Sequence, residues 1–146
     1  MTLQDWLKKK WLAVRQTNRT EIRELLAVAD RDLRDCLTKG LSVDWQLNIA
    51  YNAALQSAIA ALAASGFQVG RGEPHHFRVI QSLEFTIAAD PELIRQFEQF
   101  RKKRNIAGYE RAGGVSDQEA KEMIALARRL RSDVGAWLKK NHPELL

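Results

Sequence analysis

Along most of the chain apolar residues return every three or four positions, the period of a helix that lies with one face on a core. Residues 2 to 16 carry Leu3, Leu7, Trp11 and Val14 on one such face behind a Thr2 cap, with Lys8, Lys9, Lys10 and Arg15 mostly elsewhere. That pattern predicts an amphipathic N-terminal helix over 1–17. It suits a membrane surface or a partner's groove, or else packs its Trp side chains on the body of the same chain. Residues 18 to 38 start with Asn18 three positions before Glu21, a capping-box arrangement, and continue with Ile22, Leu25, Leu26, Ala29, Leu33, Cys36 and Leu37 on one stripe. Asp30, Arg31, Asp32, Arg34 and Asp35 alternate in sign on the other side, which predicts a solvated face, and Gly40 ends the segment.

Ser42 opens a third segment that is alanine-rich and apolar almost all round, as a central helix is. Asn48, Asn52 and Gln56 interrupt it at a spacing of four. This amide ladder lines a groove facing Arg104, contacts solvent, or belongs to a heptad-like dimer seam; in each case buried amides need partners. Gly66 closes the helix, and FQVGRGEP reads as an irregular connection. Its glycine spacing matches neither phosphate-binding fingerprint. Pro74 then suits the first turn of a fourth helix, with His76, Ile80, Leu83 and Ile87 on its stripe. Neither His75 nor His76 has a companion at the spacing of a helical metal site, so His76 reads as a packed, hydrogen-bonded histidine and His75 as an exposed one.

Asp90, Pro91 and Glu92 specify the start of a fifth helix, whose stripe of Leu93, Phe97 and Phe100 continues by one more turn onto Arg104. An apolar face that ends in a guanidinium demands a partner for its donors: a carboxylate, backbone carbonyls, or a phosphate brought by a ligand. Gly108 weakens the end of this helix, and Gly113 and Gly114 force a turn. Ser116 with Glu119 opens the last helix, striped by Met123, Ala127, Leu130, Val134 and Trp137, before Pro143. Five to six helices and no credible strand predict an all-α, up-and-down helical bundle, a single domain in which the N-terminal helix precedes a bundle over 18–142.

Composition adds a sign. The 146 residues hold 23 Lys and Arg against 18 Asp and Glu, a net charge of +5, which permits nucleic-acid binding without requiring it. Six of the cations, Arg95, Arg101, Lys102, Lys103, Arg104 and Arg111, fall between residues 95 and 111 against only Glu98 and Glu110. Such a cluster neutralises nucleic-acid phosphates or simply solvates a helix end and favours its dipole; Arg128, Arg129 and Arg131 are candidates to extend it. The single cysteine, Cys36, lies on an apolar stripe and reads as a buried structural thiol in a reducing compartment. Without a signal-like apolar run at the N-terminus or a stretch near the ~20 residues of a membrane span, the expected location is cytoplasmic. No cofactor or metal is expected.

The segment RKKRNIAGY resembles the motif of the HEPN superfamily, helical domains marked by an Arg, usually followed by a polar residue such as Asn, and a His four to six residues on. Arg104 and Asn105 match, and Tyr109 stands at the His position. The order of the helices extends the resemblance over roughly residues 20 to 140. It implies a homodimer in which Arg104, Asn105 and Tyr109 line an interface cleft. In the family that cleft carries out metal-independent RNA cleavage. Beside it, the cationic cluster offers Arg101, Lys102, Lys103 and Arg111 as nucleic-acid contacts, and the amide ladder offers Asn48 and Asn52 as cleft-lining residues. Many such proteins pair with a small nucleotidyltransferase as toxin and antitoxin, and that partner modifies a Tyr near the motif. A phenol with an unperturbed pKa of about 10 is a poor base at neutral pH. The substitution therefore favours binding of RNA or nucleotide over ribonuclease action. A non-catalytic interaction module, docking a partner through the first helix, is the third alternative.

Overall fold

The computed structural model describes residues 1–109 and 114–146, with side chains described for 1–104 and 114–146. Its elements are α1 (Leu3–Lys8), β1 (Leu12–Val14), α2 (Arg19–Asp35), α3 (Val43–Ala64), β2 (Phe67–Val69), α4 (His75–Ser82), α5 (Pro91–Tyr109) and α6 (Asp117–Asn141), followed by a 3-10 turn over Pro143–Leu145. The chain is an all-α helical bundle, 69% helical and 4% strand.

The all-round apolar pattern of α3 makes it the axis of this bundle. Leu47, Ala50, Ala54, Ala58 and Ala61 are fully buried, and α6 and α2 make the most extensive contacts with it. Alanine at these positions lets neighbouring backbones approach closely. By length and composition alone the 22 residues of α3 would also cross a membrane, but 72% of its most apolar window is buried inside the bundle. Thr2 and Ser116 form full capping boxes, while Asn18 and Ser42 each accept one backbone N–H. The Asp90 carboxylate accepts the Glu92 N–H at 2.9 Å. Pro74 stands just before α4 as its cap rather than inside the first turn.

The N-terminal segment departs from the expected helix. α1 stops at Lys8, Lys10 adopts a left-handed φ of 63°, and residues 12–14 form a strand instead. The expectation of no strand therefore fails, because part of the FQVGRGEP connection pairs with it antiparallel: Leu12 opposite Val69, Ala13 opposite Gln68 and Val14 opposite Phe67. Burial falls from Leu12 through half-buried Ala13 to exposed Val14, so no alternation of period two marks this strand, and three residues are too few to separate it from a helical stripe. Trp6, Leu12, Leu62 and Phe67 make a second apolar cluster, with the Trp6 ring edge-on to Trp11 at 5.7 Å and to Phe85 at 5.4 Å. The Arg78 guanidinium covers Trp11 at 3.7 Å. The tryptophans of this segment thus pack on the chain's own body.

Gly70 closes the ribbon. A Cβ there would stand 2.3 Å from the Lys10 carbonyl oxygen, so only glycine fits this approach of two backbones. Gly70→Ala is expected to lose about 1–3 kcal/mol of stability through forced displacement of the strand pair. Urea denaturation measures this, and a loss within error of zero would mean that β1 does not sit on Gly70 as described.

Two further expectations need correction. Leu37 is exposed, because α2 ends at Asp35 and its stripe ends with it. Asp32, expected on the solvated face, is only 6% exposed and faces α3. Its neighbour Asp30 is also engaged, accepting Nε–H and Nη2–H of Arg131 at 2.8 and 3.2 Å, which ties α2 to α6.

Candidate functional site

α2, α3 and α5 enclose a cleft of about 420 Å3 lined by Arg31, Asp32, Trp45, Asn48, Ile49, Asn52 and Arg104. The helical period puts Trp45, Asn48 and Asn52 on one wall, because positions three and four apart share a face. α5 delivers Arg104 to the same cleft, one turn beyond Phe100 and two beyond Phe97, whose burial anchors the helix. Of the amide ladder, Asn48 and Asn52 line one cavity with Arg104, and Gln56 does not.

The amides are not free. Asn52 donates from Nδ2 to Asp32 Oδ2 at 2.7 Å and accepts at Oδ1 from Gln56 at 3.3 Å. Asn48 donates to the Asp44 carbonyl at 2.9 Å. Asp32 also accepts from Nε and Nη2 of Arg31, at 3.2 and 3.1 Å, so its buried charge is matched by a cation and an amide. That match explains how an acidic side chain can leave solvent here.

Arg104 is different. It is half-buried and lies over the Tyr51 ring, 5.0 Å from the centroid, yet its Nε is buried and has no hydrogen-bond partner among the described residues. A buried guanidinium donor left unmatched costs on the order of 1–3 kcal/mol. Tyr51, 1% exposed, is held edge-on to Phe97 at 5.5 Å, and its hydroxyl lies 3.1 Å from His76 Nδ1. Burial pushes the Tyr51 phenol up to about 12, with Arg104 and Arg101 opposing the rise. Burial lowers the pKa of His76, and the nearby guanidiniums of Arg104 and Arg101 lower it further. Neutral His76 and neutral Tyr51 therefore stand behind Arg104, leaving its charge uncompensated from that side.

The run Arg101 to Arg104 does not act as one patch. Consecutive helical residues point about 100° apart, which sends these four side chains to different surroundings. Arg101 pairs with Glu98 at 2.5 Å, whose hydrogen bond also raises the Arg101 pKa, and Lys103 pairs with Glu119 at 3.3 Å. Lys102 lines a separate groove of about 490 Å3 between α4 and α5, together with Glu84, Arg95 and Glu98. Arg131 is committed to Asp30, and Arg129 approaches Asp90 and Asp133 at 3.9 and 3.7 Å, so neither adds a free charge to the cleft. The side chains of Asn105 and Tyr109, and all of Arg111, lie outside the described residues.

Sequence reasoning missed Asp32, Arg31 and Trp45. Trp45 had a usable signal, since it stands three residues before Asn48 and so shares the ladder's face. Asp32 had none, because a charge in an alternating acidic and basic run gives no hint that an amide from another helix will meet it. Among the described residues no three His, Cys, Asp or Glu side chains gather as a metal site. Cys36 is buried, its thiol donating to the Leu33 carbonyl at 3.3 Å, and burial raises its pKa, which makes it an unreactive thiol.

Fold and cleft together define an all-α bundle with a half-buried arginine facing an amide-lined cavity. No family model, curated protein or solved structure matches the chain.

Proposed function

We propose that this chain is a HEPN-like helical protein that binds RNA or a nucleotide in the cleft between α2, α3 and α5, with Arg104 as the phosphate-facing cation. The observation that carries the reading is the Arg104 guanidinium, which lines the cleft and rests on Tyr51 while its buried Nε has no acceptor among the described residues. A phosphate oxygen in the cleft meets the part of the guanidinium that lines it, Nε itself being buried, and charge-assisted bonds of this type are among the strongest a guanidinium makes. Asn48 and Asn52 on the opposite wall each have one Nδ2 hydrogen engaged within the protein and offer the second to sugar or base edges. The resemblance adds a cytoplasmic homodimer and a nucleotidyltransferase partner to this reading. It adds no cleavage step, because Tyr109 replaces the motif His.

Titrating the protein with a labelled single-stranded RNA at two salt concentrations tests it. Arg104→Ala is expected to weaken binding on the order of ten-fold or more, and to flatten the salt dependence by about one phosphate contact. An Arg104→Ala protein that binds as tightly as the parent would end this assignment.

A further inference from the structure

Resting on the reading above, we infer that Trp45 is a stacking platform for an unpaired nucleobase, so that the cleft takes single-stranded rather than duplex RNA. Trp45 is 62% exposed, and of the large exposed apolar side chains Met1, Val14, Leu37 and Trp45 it is the one that lines this cleft. A tryptophan left in water is an unspent apolar face. In the first turn of α3 its backbone is fixed, since the Ser42 side chain accepts the Trp45 N–H at 3.2 Å. An indole so anchored offers a broad ring at the cost of only two side-chain rotors.

Its surroundings decide what that ring meets. Apart from Ile49, the rest of the lining is polar or charged: Arg31, Asp32, Asn48, Asn52 and Arg104. A protein-docking hot spot surrounds its aromatic anchor with other apolar contacts, and among the described residues only Ile49 joins Trp45 here. A cation on the far wall and amides one and two turns along from an exposed ring are instead what a nucleotide requires: phosphate to Arg104, base edge toward Asn48, base face on Trp45. Trp45 and Asn52 are seven residues apart on α3, about 10 Å along its axis, room for one nucleotide rather than a helix of paired strands. In a duplex each base face is already covered by its neighbours. Only an unpaired base can lie on the indole.

The experiment uses the full chain and three fluorescent probes of equal length, about ten nucleotides: an oligoadenylate, an abasic strand of the same charge, and the oligoadenylate annealed to its complement. The parent protein is expected to bind the oligoadenylate about ten-fold tighter than either other probe. Trp45→Ala should erase that preference with no change in circular dichroism, Trp45→Phe should keep most of it, and Arg104→Ala should weaken all three probes together. If the parent and Trp45→Ala bind all three probes alike while Arg104→Ala binds weakly, the platform is wrong and the phosphate site stands. Should the parent bind none of the probes, both fall. Binding of the duplex as tightly as the single strand would also overturn the inference.

Discussion

Phe97→Ala is expected to destabilise the protein by about 3–5 kcal/mol, the range for removing a fully buried phenyl group, and to lower Tm by roughly 10 °C or more. Phe97 is 0% exposed and stands edge-on to Tyr51, so the cavity opens between α3 and α5 directly beneath the ring that carries Arg104. The effect reaches the site as well as the core. Without the phenyl edge, Tyr51 can tilt, and the guanidinium above it loses its seat. Phe97→Leu, which keeps most of the volume, should cost less than about 1.5 kcal/mol and leave Arg104 in place. Thermal and urea denaturation measure both variants. A Phe97→Ala protein within 1 kcal/mol of the parent, roughly the scale of an ordinary surface change, would contradict the packing of α5 against α3.

The second large effect is a dependence on pH, with Tyr51 controlling the alkaline side. Its folded pKa of about 12 lies above the value near 10 of an unfolded tyrosine. The folded state therefore holds a proton that the unfolded state gives up. The associated stability is fully present below pH 10 and is lost as pH rises through 12, on the order of 2–3 kcal/mol. Tyr51→Phe should be less stable at neutral pH, for want of the bond to His76, yet should show a shallower alkaline loss than the parent. On the acid side the order reverses, because the folded pKa of His76 is lowered beneath the unfolded value of about 6.5. Stability from His76 is full above that pH and declines as pH falls toward the folded pKa. Protonation would place a cation beside Arg104 and Arg101 and would make both ring nitrogens donors, so that the Tyr51 hydroxyl could only accept. His76→Gln should flatten the acid limb. Equal slopes in parent and variants on both sides would show that this pair is not titrating with folding.

The helices were legible because their signals are local. Thr2, Asn18, Ser42, Asp90 and Ser116 each announce a helix start within a few residues, and all five accept the backbone N–H that the sequence promises them. Half of the cleft was legible for the same reason, since a stripe that runs from Phe97 and Phe100 onto Arg104 must bring a charge to a core edge. What stayed hidden depends on pairings between distant segments. Three residues of strand at 12–14 cannot be told from the end of an amphipathic helix until Phe67–Val69 is known to lie beside them. Asp32 looks like any other charge in its run until Asn52 meets it. The consecutive cations misled in the opposite direction, because adjacency in sequence scatters side chains around a helix rather than gathering them.

The strand pair held by Gly70 also bears on where the chain is fastened. Leu12 and Val69 are joined only after the chain has run out through α2 and back through α3, so their pairing closes a loop that holds both helices. Closing such a loop costs entropy that three residues of ladder return only in part, and most of the return comes from Trp6, Leu12 and Phe67 settling on Leu62. The N-terminal segment is thus fastened at the Leu62 end of α3, whereas the cleft lies at the Trp45 end of the same helix, so the ribbon and the site share an axis without sharing a side chain.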